Sequence, residues 1–423
     1  MSKRTYRAVS VNDVSADALA PKLRPGERVV IGIDVAKVEN KAAIFQGETL
    51  IRMVGWKAPK ESRQLVELVV GLKRLAPVEV VIESTGTYGD PLRGLLAEVS
   101  VPVFRVSTKH VSDTAEMFDG TASSHDAKAA QQLAWLHLQK RSSLWPIKDD
   151  EARDLAALLA RYELHNGHLM GCIGRLEGLM ARHFPEMSAT VSLSNASTLA
   201  VVGEFGSPSE ITAHAEAADA LMHEVGGPFL KEEKVDSVIE AAKNSTGLPM
   251  TAIERRVLMF LAEEAIRQRE LKAEAKRDLE KLAKQNVVVM RLAPVLGVTT
   301  AAVVFVEAGD LSQYKAPAAL VKALGLNLKE KSSGEHKGKL KISKRGSSRA
   351  RKYLYLATQR LIQRDALFKA WYGRKVEREG GKRKPMAIVA LMRKLVRALF
   401  HVAKGATFDS TKLFDAQRLG VAT

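Results

Sequence analysis

Two short apolar runs in the first hundred residues each end on a carboxylate: Val29-Val-Ile-Gly-Ile-Asp34 and Val78-Glu-Val-Val-Ile-Glu83. Their length and Val/Ile content mark them as strands. A carboxylate on such a run is costly to bury without a partner. A third acid, Asp126, opens a helix-like run after Ser-Ser-His125, and Asp119 lies one loop earlier. Taken singly, each is a plausible turn residue or helix cap. As a set they point to a shared divalent cation, because metal-assisted phosphoryl transfer draws carboxylates from separate elements of one rigid sheet.

The order of elements agrees with such a sheet. Residues 1–27, with Pro21, Pro25 and Gly26, read as a flexible lead. Residues 28–148 alternate strand-like runs (28–36, 41–45, 49–55, 78–83, 101–106) with helix-like runs (59–75, 90–98, 108–117, 126–140). The order ββ-β-α-β-α-β-α predicts an α/β domain of the ribonuclease-H-like kind. Residues 149–289 read as helical and coiled-coil. They begin with one helix over 149–184, followed by a mixed stretch to 250. From Thr251 to Leu292 there is neither Gly nor Pro, which predicts a long helix. Its seam of Ile253, Val257, Leu258, Leu261, Ile266 and Leu271 is irregular, and leaves an intramolecular hairpin and a dimer seam both open. Residues 290–423 read as a mainly α, basic domain, in which a turn at Gly297 predicts a helix-hairpin-helix-like segment able to meet phosphate.

Charge narrows the partner. The chain of 423 residues carries +17, and Lys331 to Lys404 alone holds 22 Lys and Arg against 4 Asp and Glu, so the remainder is close to neutral. A concentrated basic segment attracts polyanions, phosphate backbones above all. Lys344, Arg345, Arg349 and Arg351 are the expected phosphate contacts, with Tyr353, Tyr355, Trp371 and Tyr372 interleaved as stacking or core residues. Ser332 and Ser333 sit on a Gly-flanked basic loop; by residue type alone this is a linker, since a serine needs activation to attack. Cys172 is the only cysteine, which excludes internal disulfides and cysteine-based zinc sites, and a reducing cytoplasm fits. No apolar run approaches the ~18 residues of a membrane span.

Ile31-Gly-Ile-Asp-Val-Ala-Lys37, Ile82-Glu-Ser-Thr-Gly-Thr-Tyr88 and His125-Asp-Ala127 form one set of motifs. Leu292-Ala-Pro-Val-Leu-Gly-Val-Thr-Thr-Ala301, Glu307-Ala-Gly-Asp-Leu, Leu324-Gly-Leu, Ser332-Ser-Gly334, Ile342-Ser-Lys-Arg-Gly346 and Arg351 form another. In order and spacing the chain resembles the DEDD-type insertion-sequence transposases of the insertion-sequence one-ten family, which includes bridge-RNA-guided recombinases. The resemblance implies a RuvC-like N-terminal domain whose acids bind Mg2+, and a C-terminal domain with a nucleophilic serine. Asp34 and Glu83 match the first two acids and Asp126 the last, while position 123, where the third acid falls, is Ser123. Asp119, a water or Ser123 would fill that place. Ser333 matches the nucleophile best, with Ser332 the near alternative. The implied partners are DNA, a guide (bridge) RNA from the same element, and further copies of the chain as a homodimer or tetramer, all in a bacterial, nucleoid-associated setting. A junction-resolving nuclease that uses a metal-bound water, and a non-catalytic nucleic-acid-binding relic, are the competing readings.

Overall fold

The computed structural model describes residues 6–83, 86–330 and 340–421. The chain divides into two compact units, Met1–Asp149 and Asp150–Thr423.

Unit 1 is built on a seven-stranded mixed sheet: β1 Val9–Ser10, β2 Val29–Asp34, β3 Glu39–Gln46, β4 Thr49–Lys57, β5 Val78–Glu83, β6 Val103–Val106 and β7 Ser143–Leu144. Their order is β1-β4-β3-β2-β5-β6-β7. β2, β3 and β4 form an antiparallel meander, and β5 and β6 add parallel to β2. This arrangement is consistent with a ribonuclease-H-like domain. Five helices complete the unit: α1 Ala16–Leu19, α2 Ser62–Leu75, α3 Asp90–Glu98, α4 Thr108–Asp119 and α5 Asp126–Leu138. The lead does not hang free as expected. β1 pairs with β4, and Val11 and Leu19 are buried under α2. A two-residue strand and a four-residue helix carry too little periodicity to be read from sequence.

Strand alternation sorts the two faces. Val29, Ile31 and Ile33 of β2, with Val80 and Ile82 of β5, face Leu65, Leu72 and Leu96 of α2 and α3. Val30 and Val81 face the other way, onto Ala130, Leu133 and Ala134 of α5. Gly32 shares that second face. A Cβ there would collide with the Ala130 carbonyl oxygen and lie 2.6 Å from Ala134 N, so α5 rests its backbone directly on β2.

Among the described residues, unit 2 is helical apart from one small ribbon. Its first part comprises α6 Asp150–His183, α7 Pro185–Thr190, α8 Ala196–Phe205, α9 Pro208–Ala213, α10 Ala215–Gly226, α11 Glu232–Lys243 and α12 Ala252–Ala283. Its second part comprises α13 Val287–Leu296, α14 Val298–Ala308, α15 Pro317–Ala323, the antiparallel pair β8 Leu328–Lys329 and β9 Lys341–Ile342, α16 Ser348–Arg364, α17 Ala366–Arg378, α18 Lys384–Ala403 and α19 Ala416–Leu419. The long helix expected to Leu292 ends at Ala283, and Asn286 caps a new one. α12 runs antiparallel to α6: Arg161 pairs with Glu274 at 2.6 Å and Asp278 at 2.8 Å, and His165 meets Gln268 at 2.9 Å. The coiled coil is therefore an intramolecular hairpin. Ile253 and Val257, expected in its seam, are exposed, while Leu258, Leu261, Ala262 and Ala265 are buried. Leu155 and Leu159 of α6 and Leu279 of α12 join one core with Leu391 and Leu395 of α18, so residues 149–289 and 290–423 do not form separate bodies.

Gly32→Ala is expected to cost about 3 kcal/mol, the upper end of overpacking penalties, and to lower the melting temperature of unit 1 by roughly 10 °C. Gly94→Ala, on helix α3 where a Cβ meets nothing within 4 Å, is expected to be neutral or to stabilise by about 0.5–1 kcal/mol. Calorimetry of the two variants checks both.

Candidate active site

Asp34 and Glu83 are brought together by register. β2 and β5 are parallel with Ile33 opposite Ile82, so the next positions, Asp34 and Glu83, are neighbours. Alternation puts both on the face that α5 covers. From the Gly32 contact, two strand residues lead to Asp34, an advance of about 7 Å. One helical turn back from Ala130 leads to Asp126, about 6 Å. The three carboxylates thus gather at one end of the same face, from β2, β5 and the N-terminus of α5. The turn after Asp34 is pinned from within: Asn40 is buried, and its Oδ1 accepts from Ala36 N–H at 2.6 Å.

Proximity shows in the electrostatics. Burial, and then the charges of Asp126 and Glu83, push the Asp34 carboxyl up to about 6. Like charges held around a half-buried carboxyl call for a cation, and an all-oxygen donor set suits a hard divalent ion. The three are not closed into a tight ligand cluster. Among the described residues, the trio whose ligand atoms all lie within 4.8 Å of one another is instead Asp219, His223 and Glu232 of unit 2. That group is a partly exposed ion pair, His223 Nε2 to Glu232 at 3.0 Å, outside the acidic motifs.

Both carboxylate oxygens of Asp119 are engaged within the protein. Its Oδ2 accepts from Tyr6 Oη at 2.7 Å, and its Oδ1 accepts from Lys128 Nζ at 2.7 Å, Thr121 N at 3.0 Å and Thr121 Oγ1 at 2.7 Å. These bonds, Lys128 first, hold its carboxyl well below the usual range. Lys128 is 1% exposed and also donates to the carbonyls of Thr121 and Ser123 at 2.8 Å. The loop before α5 is therefore tied down by one buried lysine, and Ser123 stands exposed upon it. His125 closes the loop as the helix cap, its Nδ1 accepting from Lys128 N at 3.2 Å. The sequence carried a signal for this lysine, which is the one cation in the otherwise apolar and amide run Ala127–Leu136 and so needs a buried acid.

The C-terminal motifs interlock. Gly325 and Gly346 both take positive φ, +69° and +141°. A Cβ on Gly346 would collide with the Ala323 carbonyl and lie 2.8 Å from Gly325 N. Ser343 N donates to the Asn327 carbonyl at 2.8 Å, and its hydroxyl bonds Asn327 Oδ1. Arg351, expected on phosphate, donates instead to the carbonyls of Leu324 at 3.1 Å and Gly346 at 2.9 Å, and burial lowers its pKa. Arg349 pairs with Glu307 at 2.8 Å. Lys344 and Arg345 are exposed. This lock fixes the base of the β8–β9 ribbon. Ser332 and Ser333, between the two strands, lie outside the described residues. The turn at Gly297, with φ +78°, joins α13 to α14. Tyr353 is buried with its hydroxyl on Glu163, and Tyr355, Trp371 and Tyr372 pack against the core.

Two family models match along this chain. Residues 31–185 match the DEDD model of the IS110 group, described as a transposase, and residues 289–373 match "Transposase IS116/IS110/IS902 family". Both sets of motifs thus fall within one family. The chain belongs to the IS110 family of DEDD transposases. It is 21% identical over 306 residues to "Insertion element IS110 uncharacterized 43.6 kDa protein" of Streptomyces coelicolor, covering 71% of this chain and 75% of that protein. The transposase is a DNA-acting enzyme, and its family implies use of a divalent metal. Among its described residues no helix is long and apolar enough to cross a membrane.

Between its ordinary value of 3.8 and about 6, folded Asp34 holds a proton that the unfolded chain releases. Stability therefore falls as pH rises through that window. Asp34→Asn is expected to melt above the parent at pH 7.5 without divalent ions and level with it at pH 4, as thermal melts across that range will show.

Proposed function

We propose that this transposase exchanges DNA strands with Ser333 as nucleophile, Asp34, Glu83 and Asp126 as holders of Mg2+, and a bridge RNA as its guide. The observation that carries the metal part is the convergence of three acids from β2, β5 and α5, with Asp34 pushed up by burial and then by the other two charges. Bound there, Mg2+ would supply charge neutralisation at the scissile phosphate. The serine reading rests on the family motif at Ser332-Ser-Gly334 and on the ribbon whose base the Gly325–Gly346 lock holds.

In this reading the Ser333 Oγ gives up its proton and attacks phosphorus. The bond from phosphorus to one sugar oxygen breaks, and that oxygen takes up a proton as it leaves. A hydroxyl of the new partner strand then attacks the phosphoserine, which restores the serine and joins the strands. The exposed cations Lys344 and Arg345 are suited to hold the phosphate backbone beside this loop. Pairing acids of one subunit with the serine of another would require a homodimer or tetramer. RNA guidance rests on family resemblance, and sequencing the RNA that co-purifies with the chain tests it.

Asp34→Asn and Ser333→Ala are each expected to reduce strand transfer by 10³-fold or more while leaving nucleic-acid affinity within about twofold. Ser333→Ala should also abolish the covalent protein–DNA adduct seen on denaturing gels. Cleavage that survives Ser333→Ala would favour the nuclease that uses a metal-bound water. Activity that survives with the adduct shifted to Ser332 would move the nucleophile by one residue.

Position 123 gives a separate test. Ser123→Asp restores a fourth acid and is expected to lower the Mg2+ concentration for half-maximal strand transfer severalfold. Asp119→Asn removes the Lys128 partner and is expected to lower the melting temperature by several degrees with no change in that Mg2+ requirement. A raised Mg2+ requirement in Asp119→Asn would return Asp119 to the ligand set.

A further inference from the structure

Residues 404–421 fold back onto α17 and α18 and line a cavity of about 260 Å³ that, apart from Trp371, lies beyond the segment matched by either family model. Its walls carry Arg374, Arg378, Lys394 and Arg418 beside the rings of Trp371 and Phe414. Arg374 donates to the Arg418 carbonyl and so ties α17 to the C-terminal turn. Lys394 Nζ lies 5.8 Å from the Trp371 ring centroid and 5.4 Å from that of Phe414, and donates to the Leu413 carbonyl at 3.4 Å. The neighbouring acids are committed: Asp415 caps α19 through Arg418 N at 3.0 Å, and Glu379 pairs with Lys375 at 2.9 Å. None of Arg374, Arg378, Lys394 and Arg418 has an ion pair among the described residues.

Four cations without an ion pair converge on one small concavity, and Asp415, the single carboxylate in its lining, leaves it strongly positive. Mutual repulsion makes such a cluster unfavourable unless an anion joins it. We infer that this pocket seats one backbone phosphate of a nucleic-acid strand, gripped by Arg378, Arg418 and Lys394 of its lining. The cavity is too small for a folded cofactor, and the rings at its side orient Lys394 by cation–π contact. The inference rests on the nucleic-acid partner of the proposed function, but not on its chemistry. RNA and DNA offer the same phosphate, and the test separates them.

The full-length chain and its Arg378→Gln/Arg418→Gln variant are titrated with a single-stranded RNA and with a DNA of the same sequence, at four salt concentrations. A Lys369→Gln/Lys382→Gln variant, altered at exposed positions outside the pocket, provides the same charge change. The pocket variant is expected to bind at least one polymer five- to tenfold more weakly than the control. Its log K against log salt slope should be shallower by about 1, since each phosphate contact contributes 0.7–0.9. The polymer that responds is the strand the pocket holds. Arg378→Gln and Arg418→Gln singly, each checked by thermal melting, guard against a folding defect and should each give part of the effect. Affinities and slopes within twofold of the control for both polymers would overturn the inference. Because the assay reads no strand transfer, that outcome leaves the catalytic reading untouched, and loss of transposition in the parent chain would leave this one untouched.

Discussion

The contact on which unit 1 depends is the backbone of α5 lying on Gly32. Sheet–helix packing normally stands the two backbones apart by the width of their side chains. Here the absence of a side chain at one strand position brings the Ala130 carbonyl against β2 itself. That approach does more than fill the core, because it sets where the helix begins relative to the strand ends. Asp126 reaches Asp34 and Glu83 because all three positions are measured from the same point of contact. A bulkier residue would push the helix outward and open the carboxylates at the same time.

A second constraint keeps the start of α5 in place. Lys128 is buried with Asp119, and its remaining donors go to the carbonyls of Thr121 and Ser123. A buried pair of this kind is weak evidence for stability in itself, but losing one partner leaves an uncompensated charge. Its consequence here is positional. It consumes Asp119, the acid that sequence spacing offered as a substitute ligand, and leaves Ser123 facing solvent. The proposed metal site then has three acids, with three negative charges against the two positive charges of one divalent ion. Such a set is close to balanced with a single cation, whereas a second would have to draw oxygen ligands from the phosphate.

Much of this was legible in the chain. β5 and α3 begin and end where apolar periodicity and the punctuating Pro and Gly residues place them. The acids were legible as well, since a carboxylate on an apolar run is conspicuous. What periodicity cannot carry is pairing between distant segments. The Lys128–Asp119 bond crosses a loop, and the close approach of Gly325 to Gly346 joins residues that share no local pattern. The α6–α12 hairpin was undecided for a related reason. Its apolar seam is irregular, and polar pairs such as Arg161 with Glu274 and Asp278 set the partner. Sequence shows these residues only as generic surface charge.

The basic segment makes the same distinction among cations of one type. Its charge count suggests a uniform polyanion-binding surface, yet the individual side chains divide. Arg351 is spent on the Leu324 and Gly346 carbonyls and Arg349 on Glu307, which ties α16 to the turn after α15 and to α14. Lys344 and Arg345 are exposed beside that turn. Arg378 and Arg418 stand at a cavity without acidic partners. Substituting the first group should disturb the fold before it disturbs binding, and substituting the others should do the reverse. Net charge fixes how strongly the segment attracts nucleic acid; the hydrogen-bond partners of each arginine determine which of them remain to meet it.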